Sequence, residues 1–327
     1  MNSNKRKIIS ITIKLLITAG CILFLYKKTF QRHDIGSILL YFNASFSGNR
    51  SLYLILASLL MFVNWLIESF KWKTIIQPLE EITLKRSVMG VLSGVTVSIF
   101  TPNRLGEFGG RIFYLERADK VAASLYTWIA GASQLIITIF AGMVALLWYV
   151  PKYVIVTGEQ HAFLHFVSIV SGVFFALMIL FYYFNISVIT NIVERISFIK
   201  KYAPRISVIQ KLSYKRLTKV MTLSGLRYIV FTLQFYLLLL FFNIELPMPT
   251  ACLLITLSFF ATTAIPTFAF TELAVRGSTA VAFIGLLSPN HLGIVAASFS
   301  LWFINLAVPA LIGLLFVFRM KFFKEPA

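Results

Sequence analysis

Six apolar runs dominate this chain, near residues 8–26, 52–72, 121–149, 162–184, 219–242 and 292–318. A helix rises ~1.5 Å per residue, so runs of this length match a hydrocarbon layer ~30 Å thick. Two further apolar regions, 87–118 and 250–287, are broken in the middle. With 58% hydrophobic and 13% charged residues and a mean hydropathy of +0.84 over 327 residues, polar side chains are too few to cover a water-soluble core. The expected solvent is a bilayer.

A formal net charge of +18 would suggest nucleic acid in a soluble protein, so its placement matters. Let the N-terminus be cytoplasmic and let each broken region enter and leave on one side. The cytoplasmic face then receives Lys5, Arg6 and Lys7; Lys71, Lys73, Lys85 and Arg86; Arg117 and Lys120; the basic residues from Arg195 to Lys219; and Arg319, Lys321 and Lys324. The outer face receives only Lys27, Lys28, Arg32, Arg50 and Lys152. This is the positive-inside asymmetry, and it removes the need for a nucleic-acid partner. Both termini are expected on the cytoplasmic side. Cys21 and Cys252 lie in apolar segments and give no disulfide framework. KRK before the first run and TAGC at 18–21 resemble a processed leader, but Lys14 interrupts the run and Thr18 replaces the usual larger aliphatic residue. An uncleaved first helix is expected.

Between about 186 and 217, Ile186, Ile189, Val193, Ile196 and Ile199 recur at helical spacing among basic residues. This reads as a helix on the cytoplasmic leaflet, or as an extension of the preceding span, and in either form it attracts anionic lipid. The chain also holds a faint internal repeat. TPNRLGEFGGR at 101–111 places Glu107 and Arg111 after Pro102; IPTFAFTELAVRG at 265–277 places Glu272 and Arg276 after Pro266. Around each motif the order is helix, helix, broken hairpin, helix. Three crossings per half invert the second half relative to the first, a pattern found in transporters with a site near the midplane. The expected fold is all-α: one transmembrane domain over 1–327, a polytopic bundle of two inverted halves, about 1–150 and 160–327. Each half has three spanning helices and one broken re-entrant hairpin.

Charges inside a bilayer cost roughly 2.5–3.5 kcal/mol each at its centre and therefore face protein or a wet cavity. Arg104, Glu107, Arg111, Glu272 and Arg276 are the candidate site residues, joined by Glu68 and Arg227. A Glu and an Arg four residues apart share a helix face and can pair. Pro102 and Pro266 break the incoming helices, Gly106, Gly109 and Gly110 allow close backbone approach, and the half-helix start offers a positive end to an anion. Four arginines face three glutamates, leaving a positive charge suited to phosphate oxygens. The alternative is that all seven are internal ion pairs, with Glu68 and Arg227 reaching to the nearer interface. His161 and His165, with Glu159 nearby, form no complete metal set, and neither a Walker loop nor a GxSxG or HExxH motif occurs. No metal and no cofactor are expected.

FKWKTII at 70–76 and TPNRLGEFGGR at 101–111 resemble the lysylphosphatidylglycerol synthase transmembrane family, the flippase-like domain of the multiple peptide resistance factor. The second hairpin is similar more loosely: the family often has glycines before its glutamate, where this chain has Phe268, Ala269, Phe270 and Thr271. The resemblance implies a bacterial or archaeal inner-membrane protein that moves phosphate-containing or aminoacylated lipids between leaflets. The soluble aminoacyl-transfer domain of the full-length factor is not among these residues, so an enzyme is not expected. A second reading is a non-transporting partner that presents lipid to a separate lipid-modifying or glycosyl-transferring enzyme.

Overall fold

The computed structural model describes residues 45–46, 48–99, 101, 106–153, 159–186, 188, 190, 207–265 and 269–317, with 12, 23 and 26 individually. The expected first span, Pro102, Asn103 and Arg104 at the first hairpin tip, Pro266 at the second, and most of the basic 186–217 segment lie outside them.

The described residues are helical and include no strand. In order they form α1 (Ser51–Ile76), α2 (Leu84–Ile99), α3 (Gly106–Ile112), α4 (Lys120–Tyr153), α5 (Glu159–Phe184), α6 (Tyr214–Phe241), α7 (Met248–Thr263), α8 (Ala269–Ile284), α9 (His291–Trp302) and α10 (Val308–Val317). Among the described residues, four stretches are long and apolar enough to cross a membrane: Ser51–Ile76, Lys120–Tyr149, Tyr214–Phe241 and His291–Val317. The last is not one regular helix, as its apolar run suggested, because a π-helical turn at Phe303–Ala307 joins α9 to α10.

Polarity is reversed relative to a water-soluble protein. Phe62, Phe174, Ile229 and Leu315 point outward, while Asn64, Ser69, Ser93, Ser133 and Gln234 are buried. Hydroxyl and indole groups therefore stitch helices together from within: Ser133 to Ser224 at 2.7 Å, Trp72 Nε1 to Thr127 at 3.1 Å, and Thr96 to the Ala310 carbonyl at 2.8 Å.

α1 and α6 pack along their length as the central pair. One apolar core surrounds Ala57 and Met61 of α1 with Phe235, Leu238 and Leu239 of α6, against α7, α8 and α9. A second surrounds Trp72, Ile75 and Ile76 of α1 with Leu217 and Val220 of α6, against the first hairpin and α4. Each core joins the start of one helix to the end of the other, so the pair is antiparallel. Between the cores lies a polar layer, described below.

The broken regions are short antiparallel pairs, α2 with α3 and α7 with α8. The first hairpin closes because Gly110 sits on Gly94: a Cβ at Gly110 would lie 2.8 Å from the Ser93 carbonyl oxygen. Gly106 donates its N–H to Thr101 Oγ1 at 2.7 Å, and a Cβ there would meet the Val97 oxygen at 2.6 Å. Gly109, expected to serve the same purpose, faces open space within 4 Å. Two helices cover the hairpins: α10 packs on α2 of the first, and α4 on α7 of the second. Gly313 of α10 permits the first contact by lying against Leu92 and Thr96.

Candidate functional site

The layer between the two cores is built from side chains that a bilayer would reject individually. Glu68 projects from α1 between Asn64 and Trp72. Its carboxylate receives Lys71 Nζ at 2.7 Å, one turn along, Arg111 of α3 at 2.9 Å and Arg227 of α6 at 3.0 Å. Arg111 also pairs with Glu107 on its own helix, at the expected spacing of four. The site is buried at its centre and open at one edge: the side chains of Lys71, Arg111 and Glu68 are 1%, 3% and 4% exposed, but that of Glu107 is 29% exposed.

Arg227 lies near the middle of the 28-residue α6. Glu68 lies about 7 Å from the middle of α1 at ~1.5 Å of rise per residue. The two side chains meet each other inside the bundle at 3.0 Å. Arg227 is fixed from three directions: Nε donates to Asn64 Oδ1 at 2.7 Å, and the guanidinium lies 5.2 Å and 5.3 Å from the Trp65 and Phe231 ring centres. Asn64 in turn donates to Asn305 Oδ1 at 3.0 Å and faces Gln234 Oε1 at 3.4 Å, while Gln234 donates to the Ala57 carbonyl at 2.8 Å. Asn305 belongs to the π turn, so that irregular turn supplies one wall of the layer.

Sequence reasoning overlooked Asn64, Gln234 and Asn305, although amides inside apolar runs are a signal in themselves. Lys71 is a correction. It was grouped with the cytoplasmic surface charges, but it is fully buried because Glu68, three residues earlier, holds its ammonium inside the bundle.

The second pair forms as expected. Arg276 Nε donates to Glu272 Oε1 at 2.7 Å, and the second guanidinium nitrogen lies at 2.6 Å. No ion pair joins it to the Glu68 cluster among the described residues. The start of α3 adds little charge of its own, since the helix has seven residues. A recess of about 970 Å³ lined by Asn49, Arg50, Tyr53, Tyr236 and Glu245 lies at the opposite ends of α1 and α6 and touches no member of the cluster. The described residues hold no group of three metal-ligating side chains.

The sequence model for the lysylphosphatidylglycerol synthase transmembrane region matches residues 11–313, nearly the whole chain. The chain belongs to this family. No curated protein and no solved structure matches it. As a lysylphosphatidylglycerol synthase transmembrane region, it is a multi-pass membrane protein, and its family points to work on membrane lipids. The name refers to a synthase, but the matched region is the membrane part rather than the catalytic domain.

Proposed function

We propose that the protein moves a lipid with an anionic or aminoacylated head group between the leaflets of the bacterial or archaeal inner membrane. The observation that carries this reading is the ion cluster at mid-bundle, where Arg111 and Arg227 converge on Glu68 and Glu107 opens to the outside of the protein. A head group crossing hydrocarbon needs substitutes for the water around its phosphate. Guanidinium groups supply them as planar donors, and Arg111 Nε has no hydrogen-bond partner among the described residues. An anchor that only holds lipid at the surface has no need of charge at this depth.

Two halves of inverted topology fit the packing, because α10 covers the first hairpin and α4 the second. Glu272 and Arg276 are then the second half's counterpart of Glu107 and Arg111, and Arg104 stands nearest to the first pair in sequence.

The test is translocation by purified protein in liposomes, read as protection of a head-group-labelled phospholipid from an impermeant quencher. Arg227→Gln, Arg276→Gln and Arg104→Gln are each expected to slow it about tenfold or more, the effect of ~1.4 kcal/mol on the barrier. Lys215→Gln, on the outer face of α6, is the control. Folded protein that moves no lipid, but co-purifies with a soluble lipid-modifying enzyme, would replace transport by the presenting role.

A further inference from the structure

A recess of about 970 Å³ stands where α1 begins and α6 ends, away from the ion cluster. Its volume suits a small polar ligand, since sites of that kind run from about 300 to 1,000 Å³. Two of its lining residues, Arg50 and Glu245, carry opposite charge, yet among the described residues neither belongs to an ion pair. Asn49, Tyr53 and Tyr236 line the space with them.

Both charges stand on turns that packing fixes. Arg50 closes the short turn Gly48–Arg50 that leads into α1, and just before that turn Phe46 meets the Phe241 ring edge-on at 5.2 Å. After α6, Asn243 takes a φ of 58°, which lets the Ile244 N–H reach back to the Leu239 carbonyl at 2.9 Å. Asn290 Nδ2 donates to the Phe242 carbonyl at 3.1 Å and holds the same turn from α9. Ile244 is buried there, which leaves Glu245 exposed on an anchored stretch of backbone. A cation and a carboxylate held in one recess without pairing suit a ligand that carries the complementary two charges.

The recess continues as an apolar surface. Tyr236 and Leu240 share a face of α6 with Leu233 and Ile229, and Ile229 is 62% exposed. Asn49 and Tyr53 lead in the same way to Leu56 of α1, which is 39% exposed. In a membrane such side chains meet acyl chains. Lys211, Lys215, Arg216 and Lys219 crowd the other end of α6, so the positive-inside asymmetry puts the recess at the outer end of the bundle, at head-group level.

We propose that the recess is a second lipid site, which takes a phospholipid of the outer leaflet whose head group carries one phosphate and one primary ammonium. Arg50 offers its guanidinium to the phosphate, and Glu245 accepts from the ammonium. Tyr53 and Tyr236 add phenol rings, which attract cations. The acyl chains follow Leu56 and Ile229 down the bundle. A purely anionic head group would satisfy Arg50 and leave Glu245 unmatched. The inference goes beyond the reading of the ion cluster and does not depend on it, because binding here involves no crossing of the membrane.

Native mass spectrometry of the detergent-purified protein, titrated with phosphatidylethanolamine or phosphatidylglycerol of the same acyl chains, tests the choice. Phosphatidylethanolamine is expected to bind about tenfold more tightly, the weight of one hydrogen bond to a charged group. Arg50→Gln should weaken both lipids about tenfold, whereas Glu245→Gln should weaken phosphatidylethanolamine alone and erase the preference. Glycerophosphoethanolamine, the head group without its chains, should compete only at far higher concentration; competition at equal concentration would make a soluble zwitterion the ligand and overturn the lipid assignment. Equal binding of the two lipids by the wild type, or a preference that survives both substitutions, would overturn the inference. Should the variants not fold, a fluorophore on Asn49→Cys, with Cys21 and Cys252 replaced, locates the lipid: phosphatidylethanolamine should shift its emission, and no shift would overturn the inference equally. Failure of translocation in liposomes would strike the ion-cluster reading and leave this binding result standing.

Discussion

Glu68 is the one carboxylate that touches every cation of the cluster, and its removal should be felt by all of them. In Glu68→Gln, Lys71, Arg111 and Arg227 retain only Glu107 between them, and Lys71 and Arg227 lose their only ion-pair partner among the described residues. Breaking buried pairs in this way costs about 3–5 kcal/mol. Glu107 serves a single arginine from a partly exposed position, so Glu107→Gln should cost about 1 kcal/mol or less. Thermal unfolding of both variants in the same detergent checks the order; equal losses would mean that Glu68 is not the hub.

Glu80, in the loop between α1 and α2, makes a different residue-scale prediction. Its carboxylate accepts the backbone N–H groups of Glu116, Arg117 and Ala118 at 2.8–3.1 Å and faces Arg86 at 3.3 Å, tying that loop to the connection before α4. Burial raises its pKa, but the three backbone donors and Arg86 outweigh this and hold it below the ordinary glutamate value. A depressed carboxylate contributes stability above its unfolded pKa and loses it as pH falls through the lower, folded value. Stability should therefore decline on acidification below the usual carboxylate range, and Glu80→Gln should flatten that decline in a melting series against pH.

At the scale of elements, the first hairpin rests on an asymmetry between adjacent glycines. Gly110 is pressed against Gly94, so Gly110→Ala forces α2 and α3 apart at a cost of about 1–3 kcal/mol. Gly109 faces open space in the same helix, and Gly109→Ala should be neutral or slightly stabilising, since alanine is the better helix former. Comparable melting losses in both variants would contradict the packing of α3 on α2.

The same hairpin shows what a sequence can reveal. Glu107–Arg111 and Glu272–Arg276 were legible because spacing of four is a local rule. The meeting of Glu68, Arg111 and Arg227 was not, since it depends on how three separate helices cross. Lys71 was misplaced for a related reason: near the end of an apolar run a lysine resembles an interfacial residue until Glu68 is seen to hold it. Glycine identity alone could not separate Gly109 from Gly110, which differ only in what lies opposite. Long apolar runs, in contrast, announced the bundle directly, and the π turn left no periodicity to detect.

For the whole molecule, the reciprocal arrangement of α4 on α7 and α10 on α2 leads to a topological expectation. Single cysteines at Thr101 and Ile265, next to the two hairpin tips, should react with an impermeant thiol reagent from opposite faces of the membrane once Cys21 and Cys252 are replaced. Thr101 is expected from the cytoplasmic side. Labelling of both from one face would rule out inverted halves.

The layering of the bundle also has a mechanical side. The two apolar cores are close-packed blocks, and packed hydrocarbon yields little under load. The stratum between them is held by ion pairs and side-chain amide hydrogen bonds, which can exchange one partner for another without opening a void. Strain applied at either end should therefore concentrate in that stratum, with the blocks above and below acting as stiff levers. The compliant plane of this protein is also its charged one.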